Sequence, residues 1–160
     1  MPSIKSLDNI NTSSYLYGHD DVLMNFIKLF ESGNFPKVSL ITGEKGIGKF
    51  TLVFHLIIYI FSKFYKQLYD LDKKSIDESN LILSKFNSKT FQNFVYFPNE
   101  DKNKLSIEKV REIKKDLNNS TLDNNPRFVV FDDVELLNNN VVNSLLKMIE
   151  EPSNLSLIHI

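Results

Sequence analysis

One ten-residue stretch restricts the fold of this chain more than any other. Residues 43–52 read GEKGIGKFTL, and they follow the run KVSLIT at 37–42. A short apolar, β-branched run that meets glycines at once predicts a buried strand ending in a tight turn. Behind the turn, LVFHLIIYIF at 52–61 is apolar on every side, so the spacing predicts a buried helix from about 49 to 65. That run is too short to cross a bilayer, which takes roughly 20 residues.

Strand, glycine turn and helix in this order are the setting of a phosphate-binding loop. The pattern asks for Gly, four free positions, Gly, Lys, then Ser or Thr. Gly43, Gly48 and Lys49 fit it, with Gly46 between them. Backbone N–H groups at such a helix start point at an anion, and the helix dipole favours negative charge there. Lys49 would reach the outer phosphates. The plainer reading is a tight turn with no ligand.

The last position of the pattern holds Phe50. Magnesium takes hard oxygen ligands in near-octahedral geometry. The hydroxyl at this position normally supplies one, and a phenyl ring cannot. Thr51 comes one residue late, and in a helix the next residue is turned by about 100°. Its hydroxyl is expected to point away from a metal.

A second chemical stretch is RFVVFDD at 127–133. An apolar strand ending in an acid matches the other half of a P-loop ATPase, with Asp132 in the metal position. The next residue in hydrolysing relatives is usually Glu, which orients the attacking water. Here it is Asp133, shorter by one methylene, or about 1.5 Å. A misplacement of about 1 Å can cost about 100-fold in rate. Both departures weaken the same chemistry, so an ATPase scaffold that has lost hydrolysis is the expectation. The plainer reading is two solvated carboxylates at a strand end.

The rest of the chain continues an alternation of helices and strands. Val22, Leu23, Phe26, Ile27 and Phe30 recur at helical spacing from Asp20, and Gly33 is placed to end that helix. Residues 66–91 are polar and give the weakest signal, with a short helix expected around 81–86. FVYF at 94–97 predicts a strand. Ser106 can cap a helix over 106–117, residues 118–126 read as a turn region, VVNSLLKMIEE predicts a helix that Pro152 stops, and LSLIHI predicts a last strand. Strands that are apolar throughout, separated by helices, predict a parallel sheet flanked by helices on both faces. The expected domain runs over 17–160, with 1–16 as a flexible lead-in and 66–91 as a variable insertion.

Composition adds exclusions. A net charge of −1 over 160 residues gives no general attraction to nucleic acid or membrane. The chain has no cysteine, so disulfides and cysteine zinc sites are excluded. The N-terminal residues are polar and lack the apolar core of a secretory signal. A cytoplasmic location is expected.

With these residues in place, a family resemblance emerges. LYGHDDVLMNFIKLFESGNFPKVSLITGEKGIGKFTL at 16–52 resembles the start of a bacterial DNA polymerase III clamp-loader subunit of the AAA+ class. FVVFDDVELLNNNVVNSLLKMIEEPSN at 128–154 resembles its next landmark, an acidic strand followed by N-x-L-L-K-x-x-E-E-P. Asn143, Leu145, Leu146, Lys147, Glu150, Glu151 and Pro152 match that signature. The displaced threonine is most similar to the delta-prime type, whose nucleotide site is commonly degenerate.

The resemblance implies a subunit that helps load the sliding clamp onto primer-template DNA, within a ring of AAA+ subunits. It implies a vestigial phosphate site at Gly43, Gly46, Gly48, Lys49 and Thr51 and a vestigial magnesium position at Asp132, with Asp133 where the catalytic Glu usually stands. ATP, with or without magnesium, is the only cofactor it leaves open, and no zinc is expected. The family's fifth strand, helical lid, collar domain and trans-acting Ser-Arg-Cys arginine have no counterpart up to Ile160, so the chain reads as an N-terminal portion. In that sheet the first strand normally lies between the fourth and fifth, so an exposed apolar edge and poor solubility are expected. The alternatives are an active clamp-loader ATPase of the gamma/tau type and another AAA+ DNA-handling ATPase. Lys109, Arg111, Lys114 and Lys115 interleave with Glu108, Glu112 and Asp116, which reads as a solvated face before a DNA contact. Lys147 is the better DNA candidate.

Overall fold

The computed structural model describes residues 13–88, 90–97, 108, 125–133, 139–150 and 155–159, with 146–150 and 155–159 described by their backbone alone. In chain order the elements are α1 (Asp20–Glu31), β1 (Val38–Leu40), α2 (Lys49–Phe64), β2 (Tyr69–Asp70), β3 (Ser75–Ile76), α3 (Leu81–Asn87), β4 (Phe94–Phe97), β5 (Arg127–Phe131), α4 (Asn139–Glu150) and β6 (Leu155–His159). They form two compact units: Met1–Phe35 with Gly43–Gln92, and Pro36–Thr42 with Asn93–Ile160.

The second unit holds the sheet. Its strands lie in the order β1-β6-β5-β4, and all three pairings are parallel. β5 is the apolar centre, with Phe128, Val129, Val130 and Phe131 all buried. A strand this apolar on both faces is what a parallel sheet demands. Phe97 and Phe131 face each other across β4 and β5 with rings stacked at 4.9 Å. In α4, Val141 and Leu145 are buried one turn apart, as the VVNSLLKM spacing predicts. β1 lies beside β6, the neighbour the resemblance implies. β1 is shorter than KVSLIT suggested. It has a described partner on one side only, and Leu40 is 70% exposed. The helix and turn expected over 106–126 lie almost wholly outside the described residues.

The first unit is helical. α1 ends in a Schellman turn: Gly33, at φ 72°, donates to Phe30 O, and Asn34 donates to Leu29 O. α2 is buried from Leu52 to Ser62 without a break, which accounts for the all-round apolar run. Each large apolar side chain buried there contributes about 1.5–3 kcal/mol. Edge-to-face aromatic contacts tie it in place, Phe54 to Phe86 at 4.7 Å and Phe61 to Phe91 at 4.6 Å. Tyr59 Oη donates to Glu31 Oε1 at 2.6 Å, joining α2 to α1. This bond lowers the Glu31 pKa, while burial raises that of Tyr59.

The polar 66–91 segment carries more structure than its composition signals. β2 and β3 form a small antiparallel hairpin. Tyr15 bridges Ser75, so residues 13–16, read from the sequence as the end of a lead-in, run beside β3. His55, fully buried on α2, bonds Tyr69 Oη through Nδ1 at 2.8 Å and Ser13 O through Nε2 at 3.0 Å. A carbonyl only accepts, so Nε2 carries the proton and Nδ1 of the neutral ring accepts from Tyr69. Burial lowers the His55 pKa and raises that of Tyr69. Asn80 caps α3 by accepting from Ile82 N–H and Leu83 N–H, and its amide donates to Ser62 Oγ and Leu68 O.

Candidate phosphate-binding site

Three features shape the glycine loop. Gly46 and Gly48 sit at φ 85° and 93°, a left-handed region that side-chain-bearing residues rarely enter. Gly48 is the N-cap of α2, and no side chain caps that helix. The N–H groups of its first turn, which have no partner within a helix, remain available to an anion. Lys49 folds back over the loop, its Nζ donating to Gly43 O at 2.9 Å and Glu44 O at 3.1 Å. The structure therefore brings Lys49 back onto Gly43, in the same turn as Gly46 and Gly48. This donor set fits a phosphate group.

The metal half of the site does not fit in the same way. Phe50 is half-buried, and its ring stacks on Phe54 one turn further along α2, at 6.3 Å and 20°. Phe54 in turn meets Phe86 of α3. Phe50 thus belongs to an aromatic row, which gives it a packing role and leaves no hydroxyl at this position. Thr51 is also half-buried, and its hydroxyl makes no hydrogen bond to a described residue.

Asp132 and Asp133 follow β5 in the sheet unit. Asp132 N–H donates to Phe97 O at 3.0 Å, extending the β4–β5 ladder by one residue. Its Oδ2 accepts from Tyr96 Oη at 2.9 Å. Asp133 turns the chain sharply at φ 48°, a conformation that Asp tolerates better than most residues. Among the described residues, no three His, Cys, Asp or Glu side chains gather as metal ligands.

Two contacts had no clear signal in the sequence. Tyr96 lies in a plain apolar strand, and its bond to Asp132 depends on a register that sequence pattern does not specify. His19 donates from Nε2 to Ile47 O at 2.7 Å, inside the glycine loop. Of the signature residues, Asn143 is exposed and Leu145 buried. Glu151 and Pro152, the side chains of Leu146, Lys147 and Glu150, and the basic residues at 109, 111, 114 and 115 lie outside the described residues.

Fold and site together define an α/β protein with a parallel sheet and a strand–glycine-loop–helix connection. The family model for DNA polymerase III, delta subunit, matches residues 18–160, so the chain belongs to that family of clamp-loader subunits. Comparison with individual curated proteins gives no match. Among the described residues, no helix is long and apolar enough to cross a membrane.

Proposed function

We propose that this chain is a delta-prime-type subunit of the bacterial DNA polymerase III clamp loader, acting in the cytoplasm, with a nucleotide site that no longer supports hydrolysis. In this reading residues 17–160 are a domain of the AAA+ P-loop type, with 66–91 as a variable insertion and 1–16 as a lead-in. Its partners are the other subunits of the ring and, through them, the sliding clamp and primer-template DNA.

The observation that carries the reading is the Phe50 ring stacked on Phe54 where a magnesium-binding hydroxyl is needed. The glycine loop keeps its shape and its cation, so it can hold phosphate oxygens through N–H groups and Lys49. Bound ATP would bring the charge that these groups neutralise. Without the hydroxyl, metal-assisted stabilisation of the transferring phosphoryl group is weakened. Asp133 lacks the reach of Glu for orienting water. The loop then serves folding and ring assembly.

The test is titration of the protein with a fluorescent ATP analogue, with and without magnesium, followed by a turnover assay. Weak or absent binding that ignores magnesium, with no turnover, is expected. Phe50→Thr is expected to introduce magnesium dependence while lowering stability through the lost ring contact. Tight magnesium-dependent binding by the natural sequence, with turnover abolished by Asp133→Asn, would replace this reading with an active gamma/tau-type ATPase.

A further inference from the structure

The glycine loop is gripped from outside its own motif. His19 is the N-cap of α1, at φ 58°, and its Nε2 lies 2.7 Å from Ile47 O. The carbonyl can only accept, so Nε2–H is the donor. The next residue is Gly48, whose own carbonyl accepts the first helical bond of α2, from Leu52 N–H at 3.0 Å. The imidazole also lies close to Gly48, where an added Cβ would stand 3.7 Å from Nε2. His19 has a firm base. Its carbonyl accepts from Leu23 N–H within α1, and the neighbouring Asp20 pairs with Lys74 in the β2–β3 turn.

Peptide geometry gives this contact a consequence. Ile47 C=O and Gly48 N–H belong to one planar trans unit, so the two groups point in opposite directions. A donor that pins the oxygen also aims the hydrogen. We propose that His19 is the positioning residue of the glycine loop: by holding Ile47 O, it turns Gly48 N–H toward the place where a phosphate oxygen would sit. The ligand class is a phosphate or polyphosphate anion, and the assignment rests on reading this loop as a phosphate loop. His19 itself touches the loop and acts on the anion through Gly48.

Three substitutions separate this role from simple helix capping. Gln at position 19 can place its amide nitrogen near the position of Nε2. Asn carries its nitrogen nearer the position of Nδ1 and falls short of Ile47. Asn is nonetheless the better N-cap and adopts left-handed backbone more readily than His. A capping role therefore favours Asn, and a positioning role favours Gln.

Two readouts apply to the full chain. The first is hydrogen exchange at the buried Leu52 amide without any ligand, and the second is affinity for inorganic pyrophosphate without magnesium. His19→Ala and His19→Asn are expected to speed Leu52 exchange about tenfold, the scale of one lost hydrogen bond, and to weaken pyrophosphate binding. His19→Gln is expected to preserve both. Exchange in His19→Asn that matches the unsubstituted chain would overturn the proposal, as would His19→Gln behaving like His19→Ala. Failure of the unsubstituted chain to bind pyrophosphate would remove the phosphate-loop reading on which the ligand assignment rests. Leu52 exchange would still decide whether His19 holds the loop.

Discussion

The glycine loop and the 66–91 segment are held together in opposite ways. The loop bonds largely to itself: Lys49 reaches back six residues to Gly43 and five to Glu44. The 66–91 segment is pinned by bonds that span long stretches of chain. His55 and Tyr69 are 14 residues apart, and Asn80 and Ser62 are 18 apart. The loop is exposed and rich in backbone groups, whereas the anchors of 66–91 are buried side chains. Resemblance to known motifs therefore tracks local spacing, while the density of stabilising contacts does not. The segment that looks least structured in sequence contains some of the most heavily bonded polar residues.

Substitutions can break this contrast, and the largest effect is expected at Asn80. It is 2% exposed and uses both ends of its amide. Asn80→Ala removes the α3 cap, strands the buried Ser62 Oγ and takes a donor from Leu68 O. A loss of about 2–4 kcal/mol in chemical denaturation is expected. A loss below about 1 kcal/mol would mean that the long-range bonds of 66–91 are ornamental.

Tyr96→Phe tests the same contrast in the sheet unit, where the bond to Asp132 spans 36 residues. A loss of about 1–2 kcal/mol is expected, since the acceptor is a carboxylate and the site is part-buried. Retention of full stability would show that the Tyr96 bond adds nothing to the hold on Asp132.

His55 sharpens the contrast through pH. Burial lowers its folded pKa below the ordinary 6.5. Above that ordinary value both folded and unfolded chains carry a neutral ring, and the contribution of His55 to stability is whole. As the pH falls, the unfolded chain binds the proton first, so stability drops until the folded pKa is passed. Denaturation midpoints measured from neutral pH downward are expected to fall, and His55→Gln is expected to flatten that slope. An unchanged slope would place the acid sensitivity elsewhere.

The smallest effect is expected inside the loop. Lys49→Met loses two exposed bonds to backbone carbonyls, and a change below about 1 kcal/mol is expected in the same denaturation assay. A larger loss would mean that the lysine braces the fold.

Much of the architecture was legible beforehand because it depends on neighbours in the chain. The start of α1 at Asp20 and its stop at Gly33 follow from helical spacing and a left-handed glycine. α2, β4, β5, α4 and β6 follow from runs of apolar residues, and the absent hydroxyl at position 50 is a matter of composition at a single place. The β2–β3 hairpin was not legible, because two-residue strands carry no periodicity. The shortening of β1 was not legible either, since strand length depends on which partner lies alongside.

By itself, then, the sequence determined that a strand, a glycine loop and a buried helix succeed one another, and that Phe50 stands where the phosphate-loop pattern asks for Ser or Thr. Covalent order and short-range periodicity suffice for that. Only the tertiary structure decided that Phe50 joins the row to Phe54 and Phe86, that Tyr96 holds Asp132, and that His19 grips Ile47. Two of these choices, the Phe86 and Asp132 contacts, bring residues together across more than thirty positions of chain. The third spans 28. Such pairings are selected when packing closes long loops and buried polar groups must find partners, a condition that residue spacing does not encode.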